Sequence, residues 1–257
     1  LPVLQITWAR YFFTVVFTFP LMFLFFKKYL VWTDKPKLQL IRGLILLTAN
    51  ICFFYSISVI SLPKALTLAF VAPLVVTAFS PIFLGETVGY RRWTAVIIGF
   101  VGSLVVIRPG FVEINLASLA ALGTGIMYGF YLIITRKLST SDNPLLTLLL
   151  TGVVGAIIAS TFMPFVWVSP TFNQWSIMAA IGLFACIGHL FIILSLKYAD
   201  ASKLAPFSYF EIVTNIIIAY YFFSDFPDNW TFLGLFIIVL SGIYISRREN
   251  IVKNIKI

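Results

Sequence analysis

Long apolar stretches, each close to the length that crosses a lipid bilayer, recur from one end of the sequence to the other. A transmembrane helix needs about 20 residues for a hydrocarbon core of about 30 Å. With 11% charged residues, the chain lies far below the about 25% that is usual for soluble domains. The predicted spans are 3–26, 41–61, 65–84, 92–107, 116–135, 145–166, 175–196, 203–223 and 230–246. We therefore expect a polytopic membrane protein with nine visible spans.

The spans are predicted to be helical. In lipid every backbone polar group must be satisfied within the protein, which leaves only helices and closed barrels. Barrel strands show strict alternation of apolar and polar residues over about ten residues. The segment LILLTANICFFYSISVI, residues 44–60, has no such alternation. The expected fold class is therefore all-α.

Lysine and arginine residues are divided unevenly when the spans are placed so that the chain crosses the membrane back and forth. One side receives only Lys64 and Arg108. The other side receives Lys27, Lys28, Lys35, Lys37, Arg42, Arg91, Arg92, Arg136, Lys137, Lys197, Lys203, Arg247, Arg248, Lys253 and Lys256. Cytoplasmic loops carry such an excess, so we predict an inner (cytoplasmic) membrane location with a cytoplasmic C-terminus. The basic residues that give the net charge of +9 then set the orientation of the chain in the membrane, and no nucleic-acid partner is expected.

Two parts of the sequence resemble each other at a fixed offset. LPKALTLAFVAPLVVTAFSPIFLGE, from Leu62, aligns with the segment from Ala201, so that Lys64 matches Lys203 and Phe83 matches Phe222. The offset corresponds to five spans, an odd number, so the two copies would cross the membrane in opposite directions. We expect inverted repeats over 1–110 and 111–257. Chance similarity between apolar helices is the alternative.

The order of motifs within these repeats resembles the EamA-type repeat of the drug/metabolite transporter superfamily. The motifs are PLVVTAFSPIFLGE (73–86), the glycine-punctuated RRWTAVIIGFVGSLVVI (91–107) and WARYFF (8–13). The last is similar to the start of that family's second helix. The resemblance implies a ten-helix inverted-repeat transporter fold with the first helix absent here, and a central cavity. The second copy departs from the pattern, with Ile212 at the position of Pro73.

Glu211 lies about 12 Å inside the predicted span 203–223. A charge at that depth costs at least about 2.5–3.5 kcal/mol, so the carboxylate should face a cavity, find a partner or carry a proton. By the same count, His189 on the neighbouring span lies about 10 Å from the same face. Arg10 lies about 10 Å from the opposite face, from which its side chain could reach Glu211 or extend outward to water.

Polar and aromatic residues also form stripes at helical spacing on three spans. The stripes are Ser208, Glu211 and Asn215; Thr124, Tyr128, Tyr131 and Thr135; and Asn50, Phe54, Ser58 and Ser61. A shared solute cavity would explain them, and hydrogen bonding across helices as packing is the alternative. Pro73 is the candidate hinge, because proline removes a helical hydrogen bond. The Gly125 and Gly129 pair allows close helix approach and leaves a homodimer open.

These features favour a secondary transporter that works by alternating access, with proton coupling or exchange both open. The expected solute is a small molecule such as an amino acid, nucleoside or vitamin. An intramembrane enzyme and a passive channel are the alternatives. An enzyme is disfavoured because the single histidine argues against a metal centre and no Gly-x-Ser-x-Gly motif occurs. No cofactor is expected, and no Walker A motif that would bind ATP is found.

Overall fold

Helices form all the regular secondary structure in the part of the chain that the computed structural model describes, which is residues 1–25, 33–85, 89–107, 115–139, 141–198, 214–222, 224 and 226–255. They are α1 (Val3–Phe25), α2 (Pro36–Val59), α3 (Leu62–Ala69), α4 (Ala72–Leu84), α5 (Tyr90–Ile107), α6 (Leu116–Leu138), α7 (Pro144–Val166), α8 (Phe172–Tyr198), α9 (214–222) and α10 (Asn229–Ile255). The all-α prediction is confirmed for these residues.

Six helical segments are long and apolar enough to cross a membrane. They are Val3–Phe23, Pro36–Val59, Leu62–Leu84, Leu116–Leu138, Pro144–Val166 and Phe172–Tyr198, and shorter apolar helices cover Trp93–Val106 and Asn229–Ser241. These segments fit a polytopic membrane protein. The count of nine spans and the inverted repeat stay predictions, since much of 203–223 falls outside the described residues. One helix end differs clearly from the prediction, because α10 continues to Ile255, past the predicted end at residue 246.

The chain divides into two compact units. Unit 1 contains Leu1–Ile51 and Ile134–Tyr198, and unit 2 contains Cys52–Ile133 and Ala199–Ile257. The boundaries fall inside α2 and α6, so each of these helices contributes to both units. This is a division by spatial contact, whereas the predicted repeats 1–110 and 111–257 are a division by sequence similarity, and the repeats stay a prediction.

In unit 1, α1 packs against α7 and α8 through glycines. A Cβ atom added to Gly155 would lie 2.3 Å from Cδ1 of Tyr11, and one added to Gly182 would lie 2.2 Å from Cβ of Phe13. Such distances are well inside van der Waals contact, so the absence of a side chain lets the helices approach this closely. Both glycines therefore position α1, which carries Arg10.

In unit 2, a turn at Phe70 and Val71 separates α3 from α4, where the sequence predicted one continuous span over 65–84. Pro73 lies in the first turn of α4 and has no N–H to donate to the carbonyl of Ala69, four residues earlier. That loss gives the physical reason for the break. A Cβ added to Gly125 of α6 would lie 2.5 Å from this same Ala69 oxygen. The Gly125 and Gly129 pair therefore packs α6 against the break within the chain.

Substituting Gly125 should destabilise unit 2. The methyl group of Gly125→Ala would meet the backbone of Ala69, which cannot move aside as a flexible side chain can. Overpacking of this kind costs about 1–3 kcal/mol. We expect a lower midpoint of thermal unfolding in detergent, followed by tryptophan fluorescence. The control is Gly123→Ala on the same helix, because a Cβ at Gly123 meets nothing within 4 Å. Equal midpoints for the two variants would contradict the packing described here.

Candidate functional site

Arg10 of α1 and His189 of α8 are in direct contact within unit 1. Nη2 of Arg10 lies 2.6 Å from Nε2 of His189. Guanidinium nitrogens only donate hydrogen bonds, so Nε2 accepts and the proton of a neutral imidazole resides on Nδ1. The sequence placed both residues among the candidates for contact with Glu211, and the structure joins them to each other.

Both side chains lie on the packed faces of their helices. The exposed face of α1 carries Phe12, Val16, Phe19 and Phe23. Arg10 precedes Phe12 by two positions, which is about 200° around an α-helix, and so lies opposite that face. His189 continues a buried stripe of α8 that includes Cys186 and Ile193. Arg10 and His189 are each half-buried, so the pair points into the protein and retains accessible surface.

Tyr11 and Asn50 extend this contact to a third helix. Cζ of Arg10 is 5.3 Å from the centroid of the Tyr11 ring, within the range of a cation–π interaction. Nδ2 of Asn50 on α2 donates to Oη of Tyr11 at 2.7 Å and to the carbonyl of Leu46 at 2.8 Å. We call Arg10, Tyr11, Asn50 and His189 the Arg10 cluster. It brings polar atoms of α1, α2 and α8 together in segments long enough to span a membrane.

Arg42 is the main residue that the sequence analysis assigned differently. Its place in the charge pattern groups it with orienting residues at the membrane surface, yet its side chain is completely buried in unit 1. Nε donates to Oγ1 of Thr135 at 2.7 Å, and Nη1 donates to the carbonyl of Thr147 at 3.1 Å and to Oγ1 of Thr151. The helix begins at Pro36 and not near residue 41, which carries Arg42 inside. The spacing of Thr147 and Thr151, four apart on α7, is the signal that could have indicated a partner.

A second buried polar group lies close in sequence to Arg42. The Asp142 carboxylate accepts from Oγ1 of Thr33 at 2.5 Å and from Nε2 of Gln39 at 2.7 Å, and Gln39 also donates to Oγ1 of Thr147 at 3.1 Å. These bonds tie the segment before α2, the first turns of α2 and the start of α7 to one another. They satisfy a buried carboxylate, so we interpret this group as structural.

The remaining described candidates lie mostly in unit 2. The rings of Tyr128 and Tyr131 stack with centroids 5.6 Å apart, and Tyr131 is fully buried. Thr124 is also buried on the same helix and donates to the carbonyl of Ala120. Phe54 is half-buried beside Phe53. Ser58, the third residue of the stripe on α2, is exposed and donates to the carbonyl of Tyr55 in its own helix. The stripe stays a prediction.

The stripe around Glu211 is only partly described. Asn215 lies half-buried in α9, whereas Glu211 and Ser208 fall outside the described residues. A contact of Glu211 with His189 or Arg10 therefore stays a prediction. Pro73 lies beside the break between α3 and α4. Among the described residues no group of three or more His, Cys, Asp or Glu side chains could hold a metal ion.

Comparison with known proteins gives a consistent family. The EamA-like transporter family matches residues 1–108 and 115–247. The S-adenosylmethionine uptake transporter of Rickettsia bellii is 25% identical over 246 residues, which cover 96% of this chain and 84% of the relative. A riboflavin transporter of Vibrio cholerae is 28% identical over 193 residues, with 73% and 63% covered.

An exporter is also similar to this chain. The pseudopaline exporter CntI of Pseudomonas aeruginosa is 26% identical over 216 residues, with 82% of this chain and 75% of the relative covered. A crystal structure of another protein superposes with a TM-score of 0.68 at 18% identity, covering 96% of this chain and 89% of the other. That likeness supports the fold.

Removing the buried arginine should destabilise unit 1. In Arg42→Gln, the hydroxyls of Thr135 and Thr151 lose a charged donor inside the protein. Hydrogen bonds to charged groups contribute about 1.5–3 kcal/mol, so we expect a clear fall in the thermal midpoint in detergent. Lys37→Gln removes a charge from the exposed surface of the same helix and should leave the midpoint unchanged. A wild-type midpoint for Arg42→Gln would show that the buried contacts do not stabilise the unit.

Proposed function

The chain belongs to the EamA-like transporter family, and we propose that it is a secondary transporter that moves a small metabolite across the cytoplasmic membrane by alternating access. The family and the named relatives are transporters and not enzymes, in agreement with the expectation from the sequence. The named relatives include an uptake transporter and an exporter, so family membership supports a transported solute without favouring one direction.

The Arg10 cluster is the observation that carries this proposal beyond family membership. Polar side chains inside a membrane are costly and mark solute or ion pathways when they face the protein interior. Arg10 and His189 both lie opposite the exposed apolar faces of their helices and retain accessible surface. Tyr11 supplies an aromatic surface next to them. A cation, an amide and an aromatic ring from three helices are suited to an organic solute with both polar and apolar parts.

Glu211 is the candidate coupling residue in this proposal. A carboxylate inside a span is stabilised either by a partner or by taking up a proton, and both would link its charge to the solute or to a proton gradient. By its position in the sequence, Glu211 falls on the same helical face as Asn215. Import, export and the identity of the coupling ion are left open by the proposal.

Transport by the purified chain in proteoliposomes tests the proposal directly. Labelled S-adenosylmethionine and riboflavin are the first solutes to use, because relatives are named for them. We expect saturable flux of at least one small metabolite, with exchange against unlabelled solute inside the vesicle. Flux that rises linearly with concentration would indicate a passive channel and contradict alternating access.

The coupling role predicts a specific effect of Glu211→Gln. The amide cannot ionise or carry the proton, so we expect transport to fall by about tenfold or more while the thermal midpoint stays near that of the wild type. Asp34→Asn makes the same chemical change at an exposed position and should transport normally. Normal flux in Glu211→Gln, driven by the same gradient, would remove Glu211 from the mechanism.

The hinge role predicts a different effect of Pro73→Ala. Alanine restores an N–H that can bond to the carbonyl of Ala69 and would stiffen the break between α3 and α4. We expect a lower maximal transport rate with solute affinity changed by less than about threefold, because the solute contacts are intact. Pro63→Ala, at the start of α3, is the matched control. A wild-type rate for Pro73→Ala would contradict the hinge.

A further inference from the structure

Two arginines lie inside the predicted spans of unit 1, and their surroundings differ. Arg42 is completely buried, and three oxygen atoms accept hydrogen bonds from its guanidinium. Arg10 is only half-buried, and its guanidinium contacts one nitrogen, Nε2 of His189, and the face of the Tyr11 ring. Within the described part of the chain no oxygen atom lies at hydrogen-bond distance from the Arg10 guanidinium. The protein therefore supplies hydrogen-bond acceptors for the guanidinium of Arg42, whereas the guanidinium of Arg10 retains N–H donors for another acceptor.

The geometry indicates what kind of acceptor fits. A guanidinium has five N–H donors in a planar fork, which matches the two oxygens of a carboxylate. His189 accepts a hydrogen bond from one of these donors, and the guanidinium lies over the ring of Tyr11. Asn50 holds Tyr11 from α2 and so fixes the surface on which the guanidinium rests. The remaining edge of the fork can form paired hydrogen bonds with an anion.

Charge limits the class of anion. Arg10 supplies one positive charge, and His189 accepts a hydrogen bond from it and is neutral in this contact. Arg42 is a second cation in the spans of unit 1, but its guanidinium donates to oxygens of Thr135, Thr147 and Thr151. One carboxylate would pair with Arg10, whereas a doubly charged phosphate would bring a second negative charge without a matching donor, and uncompensated charge inside the membrane is costly. Lipid is not the source, because Arg10 lies opposite the exposed apolar face of α1.

We propose that Arg10 is the anion-recognition residue of the solute site and that the transported metabolite carries an accessible carboxylate. This inference rests on the proposed function and deepens it by naming the substrate class. His189 is a positioning residue that holds one edge of the guanidinium, so that the other edge is presented to the solute. Tyr11 and Asn50 support the same orientation.

Binding of matched pairs of ligands tests the proposal. The probes are S-adenosylmethionine with its decarboxylated form and tryptophan with tryptamine, within a wider metabolite library that includes phosphate monoesters. Affinities are measured by thermal shift and by titration calorimetry on the full chain in detergent. We expect the carboxylate-bearing member of at least one pair to bind about tenfold or more tightly than its partner, since a site built for a polar group rejects the analogue that lacks it.

Variants separate recognition from folding. Arg10→Gln should reduce the ratio between pair members to less than about twofold, because the fork and its charge are both lost. Arg10→Lys keeps the charge without the planar fork, should give an intermediate ratio, and serves as the second variant if Arg10→Gln does not fold. Lys37→Gln removes a positive charge at an exposed position and should keep the wild-type ratio.

Several results would overturn the carboxylate assignment. They are equal binding of both members of every pair, a wild-type ratio in Arg10→Gln, preferential binding of phosphate monoesters, and the absence of binding by every carboxylate-bearing compound. Saturable transport of a neutral metabolite would overturn this inference and leave the proposed function intact. Arg10-dependent binding of a carboxylate without flux in proteoliposomes would overturn the proposed function and leave the carboxylate assignment intact.

Discussion

The cost of leaving polar atoms unsatisfied inside a membrane governs the arrangement of unit 1. Thr7 and Thr14 of α1 return their hydroxyl bonds to backbone carbonyls of their own helix. The guanidinium of Arg42 instead donates to two hydroxyls and a carbonyl on neighbouring helices. Arg10 is the exception, because a neutral histidine and an aromatic ring only partly satisfy it. The contrast between the two arginines separates the residue that stabilises the unit from the residue proposed to bind solute.

Much of the fold could be predicted from the sequence, because the apolar lengths alone locate most helices. The predicted span 3–26 corresponds to α1 at Val3–Phe25, and 145–166 corresponds to α7 at Pro144–Val166. Burial of Arg42 was missed because hydropathy counts a charge near a span end as a surface residue. The break at Phe70 and Val71 was missed because hydropathy measures apolar length and does not register the hydrogen bond that Pro73 removes from the carbonyl of Ala69.

The residues of the candidate site could be predicted more readily than the contacts between them. Intramembrane charge was sufficient to select Arg10 and His189, and helical spacing selected Asn50, Tyr128 and Tyr131. Spacing within one helix carries no information on which residue of another helix it meets. Tyr11 was therefore missed, although its ring and hydroxyl connect Arg10 to Asn50. The tyrosine pair of α6 is stacked as its spacing allows, and the role of Glu211 stays a prediction.

Residues that bind a solute must be reachable from water, and thiol modification measures whether the proposed solute site around Arg10 and His189 is reachable. In a background with Cys52 and Cys186 replaced by alanine, His189→Cys and Phe191→Cys place a thiol on opposite surfaces of α8. Phe191 is 65% exposed on the apolar surface, whereas His189 contacts Arg10. We expect that in proteoliposomes a membrane-impermeant thiol reagent modifies His189→Cys, that bound solute slows this reaction, and that Phe191→Cys stays unreactive. Rapid modification at 191 with no reaction at 189 would contradict it.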